Sequence, residues 1–133
     1  MSQSNEFHTA HLLAPVAAAT AGDADNMYAI NRLGGKVKVT NVDFVPNGTI
    51  AAHASNHATF TVTVGGVSLG SVSSASGGHG AMTDAVNVPI TLAAAGSNLV
   101  ADGGLVKIAI TKGGSGVAVK GNFAVTMQRV RAD

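Results

Sequence analysis

His53 and His57 stand four residues apart in the run His53-Ala54-Ser55-Asn56-His57. On one face of a helix, imidazoles at i and i+4 can share a metal ion. His79 offers a third imidazole from a glycine-rich stretch. The pattern is incomplete. There is no HExxH context, and Ser55 and Asn56 favour a turn over a helix. The three histidines therefore read as solvated loop residues, and no metal is assigned to them.

Ser73, Ser74, His79 and Asp84 supply the residue types of a nucleophilic triad. Nothing in their order singles one out as nucleophile, and the GxSxG elbow is absent. The 7 carboxylates are scattered singly. A glycosidase needs two of them converging in a cleft, which this spacing does not indicate. Gly113-Gly114-Ser115-Gly116 suggests a phosphate loop, but no GK[ST] follows and no helix opens there. Those glycines read as hairpin and loop glycines. Asn47-Gly48-Thr49 has the form of a glycosylation acceptor. The segment Met1–Leu13 lacks the basic start and apolar core of a signal peptide, so Asn47-Gly48-Thr49 reads as a turn. The expectation is a protein that is not an enzyme, with no catalytic residues, cofactor or metal.

The elements that would have to position any such site are strands. From Met27 onward, period-two runs rich in Val, Ile and Thr alternate with Gly-Gly and Asn-Gly breaks. In Met27–Leu33, Tyr28, Ile30 and Arg32 share one face, and Met27, Ala29, Asn31 and Leu33 the other. In Lys36–Val45 the apolar parity switches between Val37/Val39 and Val42/Phe44, which predicts a bulge or bend at Thr40-Asn41. Ile50–His57 is read as either a short helical turn or a loop. His57–Val64 sets Ala58, Phe60, Val62 and Val64 on one face, and Gly65-Gly66 returns the chain as a hairpin. Ser73–Gly80 reads as a flexible tip. Ala85–Leu92 reads as a strand whose Pro89 demands an edge or a bulge. Leu99 and Val100 are expected to anchor a loop. Gly104–Lys112 and Val117–Val119 are expected to be strands around a second glycine-rich turn, and Phe123–Val130 completes the set.

Seven or eight short strands at this spacing predict an all-β fold, a single jelly-roll-like β-sandwich with an extended N-terminal arm. The arm covers residues 1–26 and the sandwich domain residues 27–133. Phe44, Phe60, Ile108, Ile110 and Phe123 are expected in the core. Pro15 interrupts any helix begun near His11. Leu12, Leu13, Pro15 and Val16 form an apolar centre that so short an arm cannot bury within itself. They are the candidate contacts to a sister subunit or a larger assembly.

Composition narrows the partners. Charged residues are 11% and aromatics 4% of 133 residues, against about 25% charged in ordinary soluble domains. So weakly charged a surface suggests that other chains cover part of it. Residues 1–26 carry −3 and residues 27–133 carry +4, giving the net +1 with no basic block. A phosphate-reading nucleic-acid surface is not indicated. Few aromatics also weigh against stacking platforms for sugars or single strands, Tyr28 being the one amphipathic aromatic. With 0 cysteines the redox compartment is open. No apolar run approaches the ~20 residues of a membrane helix, so no membrane partner is expected.

The arm with its Ala and Pro, followed by a weakly charged β body, resembles the small head-decoration (cement) proteins of tailed bacteriophages. The stretches IAAHASNHATFTVTVGGVSLGSV and VPITLAAAGSNLVADGGLVKIAITKGGSG carry the likeness, which is one of style over most of residues 27–131. It implies a non-enzymatic virion structural protein that binds the outer surface of a phage capsid and stabilises it against internal pressure. It implies the major capsid protein as partner and a homo-oligomer, with a trimer favoured. It also implies synthesis in the host cytoplasm and residence on the capsid surface. The alternatives are a tail or minor capsid component and, from another class, a carbohydrate- or surface-binding β-sandwich module.

Overall fold

The computed structural model describes residues 7–13, 25–93 and 98–130. Nine strands form among the described residues: β1 (Phe7–Leu13), β2 (Asp25–Ile30), β3 (Val37–Pro46), β4 (His57–Val64), β5 (Val67–Ser73), β6 (Val88–Ile90), β7 (Leu99–Val100), β8 (Leu105–Gly113) and β9 (Gly121–Arg129). No helix occurs among the described residues. Two antiparallel sheets result. One has the order β1-β9-β3-β6, with the short β7 also on β3, and the other β2-β8-β4-β5. The fold is an all-β sandwich.

The strands follow from alternation. Along β4, burial alternates at every residue, with Ala58, Phe60, Val62 and Val64 buried. Val106, Ile108 and Ile110 do the same from β8, and Phe123, Val125 and Met127 from β9. Between the sheets Phe44, Phe60 and Phe123 meet as a trio, with ring centroids 4.7 to 5.0 Å apart. All five residues expected in the core are buried there.

β3 reaches both halves of the core through one irregularity. Its register against β9 shifts between Val39 and Asn41, leaving Thr40 as the extra residue. The Thr40 hydroxyl donates to the Thr126 carbonyl at 3.2 Å. The bulge lets Val37 and Val39 point inward on one parity and Val42 and Phe44 on the other. Gly65 and Gly66, both at positive φ, turn β4 into β5 as expected of a two-residue hairpin. Pro89 sits on edge strand β6, opposite Asp43, where its missing N–H costs no ladder bond.

Several expectations are corrected. Val117–Val119 is not a strand and forms no hairpin with β8. Both edges of β8 are taken, by β2 and β4, so residues 114–120 cross to the other sheet instead. Val119 is buried during that crossing. The strand expected over Ala85–Leu92 shrinks to Val88–Ile90. Ala85 has φ 59° and donates to the Pro46 carbonyl, which breaks the extension before it. Leu99 is exposed and only Val100 anchors its loop. Ser73–Gly80 is an ordered turn, not a free tip. Gly78 donates to the Ala75 carbonyl and His79 to that of Ser73, while Ser74 is fully buried.

The segment read as an arm contains β1, and β2 begins at Asp25, two residues before the expected boundary. β1 pairs with β9 from Phe7 opposite Gln128 to Leu13 opposite Asn122.

Candidate functional site

Of the four candidate arm contacts, Leu12 lies opposite Phe123 and Leu13 opposite Asn122 in the β1–β9 ladder. Pro15 and Val16 lie outside the described residues.

The histidines are separated by their local structure. His53 Nδ1 accepts hydrogen bonds from the backbone N–H groups of Ser55 (3.0 Å) and Asn56 (2.8 Å). The imidazole thus folds the HASN segment into a turn and uses the donors a helix would need. One ring nitrogen is thereby committed to the backbone. His57 starts β4 opposite Gly113, with its ring lying where a side chain at 113 would be. Its Nδ1 is buried without a hydrogen-bond partner. His79 is exposed on the Ser73–Gly80 turn. Among the described residues no group of three or more His, Asp or Glu gathers as a ligand set.

The serines named for a triad serve the backbone. Ser74 Oγ accepts from the Ala58 N–H at 3.1 Å, and Ser73 Oγ from the Ala75 N–H at 3.1 Å. Asp84 belongs to a different turn. Its carboxylate accepts from the Gly48 N–H at 2.9 Å, and its own N–H donates to Thr49 Oγ1 at 3.1 Å. The Asn47-Gly48-Thr49 turn is thereby tied to the loop before β6. The Gly113–Gly116 turn is closed by Asn56, whose Oδ1 accepts from the Ser115 N–H at 2.9 Å.

Two features remain on the surface. The first is a shallow cleft of about 580 Å³ on the β5/β6 flank, where Ser71, Ser73, His79, Pro89 and Thr91 line it. It offers hydroxyls and one imidazole, and no carboxylate or fixed cation. Such a lining can exchange hydrogen bonds with a neutral polar ligand.

The second feature is the outer face of the β2-β8-β4-β5 sheet. Thr59, Thr61 and Thr63 of β4 stand beside Thr111, Ala109 and Lys107 of β8 and beside Ser73, Ser71 and Ser68 of β5. This is a wide hydroxyl surface with one charge. At its β2 margin the polarity changes. Tyr28 (48% exposed), Ile30 (41%) and Leu105 (45%) come together there, with Ile30 directly opposite Leu105. The other large exposed apolar residues, Val45, Val67, Val86 and Leu99, lie on β3, on β5, in the loop before β6 and on β7. The shared parity of Tyr28 and Ile30 is legible in the sequence. Their meeting with Leu105 requires the β2–β8 pairing, which no local pattern announces.

The chain matches no family model, and no curated protein or solved structure is significantly similar to it.

Proposed function

We propose that the chain is a non-enzymatic virion structural protein that binds the outer surface of a phage capsid and stabilises it. The observation that carries this reading is the surface. Its hydroxyl-covered sheet face, almost without charge, and its apolar margin are suited to being covered by protein, and the side chains of His53, Ser73, Ser74 and Asp84 are spent on backbone N–H groups. The strand order adds support for the finer fold. With β7 set aside, the orders β1-β9-β3-β6 and β2-β8-β4-β5 are those of eight strands wound as two Greek keys, with β4 and β5 the one pair of consecutive strands in a single sheet, and this jelly-roll architecture recurs in capsid proteins. In this reading the major capsid protein and further copies of the chain are the partners. The protein sits on the virion surface, and Leu12, Leu13, Pro15 and Val16 contribute contacts between chains.

The test is co-sedimentation of the purified protein with undecorated capsids, together with the melting temperature of those capsids. Binding with a raised capsid melting temperature is expected. Failure to bind any phage capsid lattice would reject the reading. Deletion of residues 2–22 is expected to weaken binding while circular dichroism retains its β spectrum. An unfolded body would instead make β1 a structural strand.

A second reading, a carbohydrate- or surface-binding module, is favoured by the cleft at Ser71, Ser73, His79 and Thr91. A glycan array separates the two, since a decoration protein should leave it blank.

A further inference from the structure

The two flanks of the sandwich are unlike. On one, β5 and β6 end their sheets and are closed off. Ala93 donates to the Leu69 carbonyl across that flank, at 2.6 Å. The Gly70 backbone lies against the Thr91 carbonyl so tightly that no Cβ fits. β5 carries a bulge, its register shifting opposite Val62/Thr63, and β6 is three residues long with a proline at its centre. These are the devices that keep a sheet edge from pairing.

The other flank, where β1 and β2 end their sheets, has no such device on β2. β2 contains no proline or glycine, and its one charged residue, Asp25, stands at its first position. Asn31 donates to the Gly104 carbonyl and accepts from the Gly103 N–H. Odd-numbered residues of β2 therefore turn their main-chain groups toward β8, and Asn26, Tyr28 and Ile30 turn theirs away. Among the described residues those outward groups meet no strand. Beside them lies the apolar patch of Tyr28, Ile30 and Leu105. Among the described residues β1 has an unpaired edge as well, but the patch belongs to β2.

We infer that β2 is the self-association strand of this protein, pairing antiparallel with β2 of a second copy. The outward groups are symmetric about Tyr28, so their full use puts Tyr28 on the two-fold axis, opposite Tyr28 of the partner subunit. Asn26 then faces Ile30 of the partner subunit. A perpendicular two-fold keeps the even-numbered side chains of both copies on one face. The two apolar patches merge into one, with the tyrosines at its centre. Such a contact is isologous and closes on itself. A net charge of +1 opposes it little. The inference deepens the proposed role by naming where copies join, and it makes the unit a two-fold dimer in place of the trimer that the resemblance favours. It is tested without capsids, so its failure and a failure of capsid binding are distinguishable.

The experiment is sedimentation equilibrium on the full chain, with circular dichroism as the folding check. Wild type should dimerise, and Ile30→Lys should raise the dissociation constant at least about tenfold while staying folded. Val67→Lys, at a comparably exposed apolar residue at the start of β5, should change nothing. The chain has 0 cysteines. Tyr28→Cys should therefore form a disulfide-linked dimer under mild oxidation, because hydrogen-bonded antiparallel partners have Cα atoms about 5.5 Å apart, within disulfide range. Val67→Cys should not. A wild type that stays monomeric would overturn the inference. So would an Ile30→Lys variant that associates normally, or a folded Tyr28→Cys variant that does not cross-link. Loss of folding in a monomeric Ile30→Lys variant would also overturn it.

Discussion

The rings of Phe60 and Phe123 meet edge to face across the two sheets, with centroids 5.0 Å apart and planes at 89°. Phe44 touches both, so three aromatic residues from β3, β4 and β9 join the layers at one point. In a core otherwise made mainly of Val, Ile and Met, this is where the sheets have most to lose.

Phe60→Ala should cost about 3–5 kcal/mol, because the ring is fully buried and its cavity is walled by two other rings. Urea unfolding followed by circular dichroism measures it. A loss below about 1 kcal/mol would mean the trio does not hold the layers together.

Gly70→Ala should destabilise by at least about 2 kcal/mol, since the new methyl meets the Thr91 backbone, which cannot swing aside as a side chain would. Gly77→Ala, with open space around it, is the control and should change the melting temperature little.

Asn31 is fully buried, and its amide nitrogen donates to the carbonyls of Gly35 (2.7 Å), Val100 (3.2 Å) and Ala101 (3.0 Å). Its Oδ1 accepts from the Leu33 N–H at 3.0 Å. Asn31→Ala removes these bonds, leaving the buried Val100 carbonyl and the Leu33 N–H without this partner while Ala101 keeps the Gly104 N–H, and should cost roughly 2–4 kcal/mol. Asn31→Asp should be at least as harmful, because a carboxylate cannot donate to the three carbonyls. Thermal melts of both variants decide it.

EDTA should leave the melting temperature unchanged, since His53 spends one ring nitrogen on its own turn and His57 is packed over Gly113. A fall on chelation that zinc restores would overturn this and return the HASNH histidines to consideration as ligands.

What the sequence made legible was local. The parity switch at Thr40-Asn41, the alternation of β4, the Gly65-Gly66 hairpin and the edge position of Pro89 all follow from neighbours within a few residues. What escaped was decided at a distance. Val117–Val119 alternates as a strand does, yet finds β8 already paired on both sides. The Ser73–Gly80 turn is ordered because Ser74 exchanges bonds with Ala58 of β4, which its glycines do not reveal. The candidate chemistry faded for a similar reason. His53, Ser73, Ser74 and Asp84 have the right groups, but each spends them on a backbone donor nearby. The exposed Tyr28–Ile30–Leu105 patch joins residues far apart in sequence, so only the β2–β8 ladder brings it into view.

The pairing of β1 with β9 also sets an order of events. Every partner of β1 in its sheet lies beyond Gly121, and every partner of β2 beyond Gly104. At synthesis rates of about 5–20 residues per second, the first strand waits about 5–20 seconds for the one that will hold it. Within that interval the β4–β5 hairpin can form once residue 73 is made, while residues 7–13 still await β9, the strand they pair with. During translation this protein is a chain with a free β-strand at its front, open to any sheet edge it meets before β9 arrives.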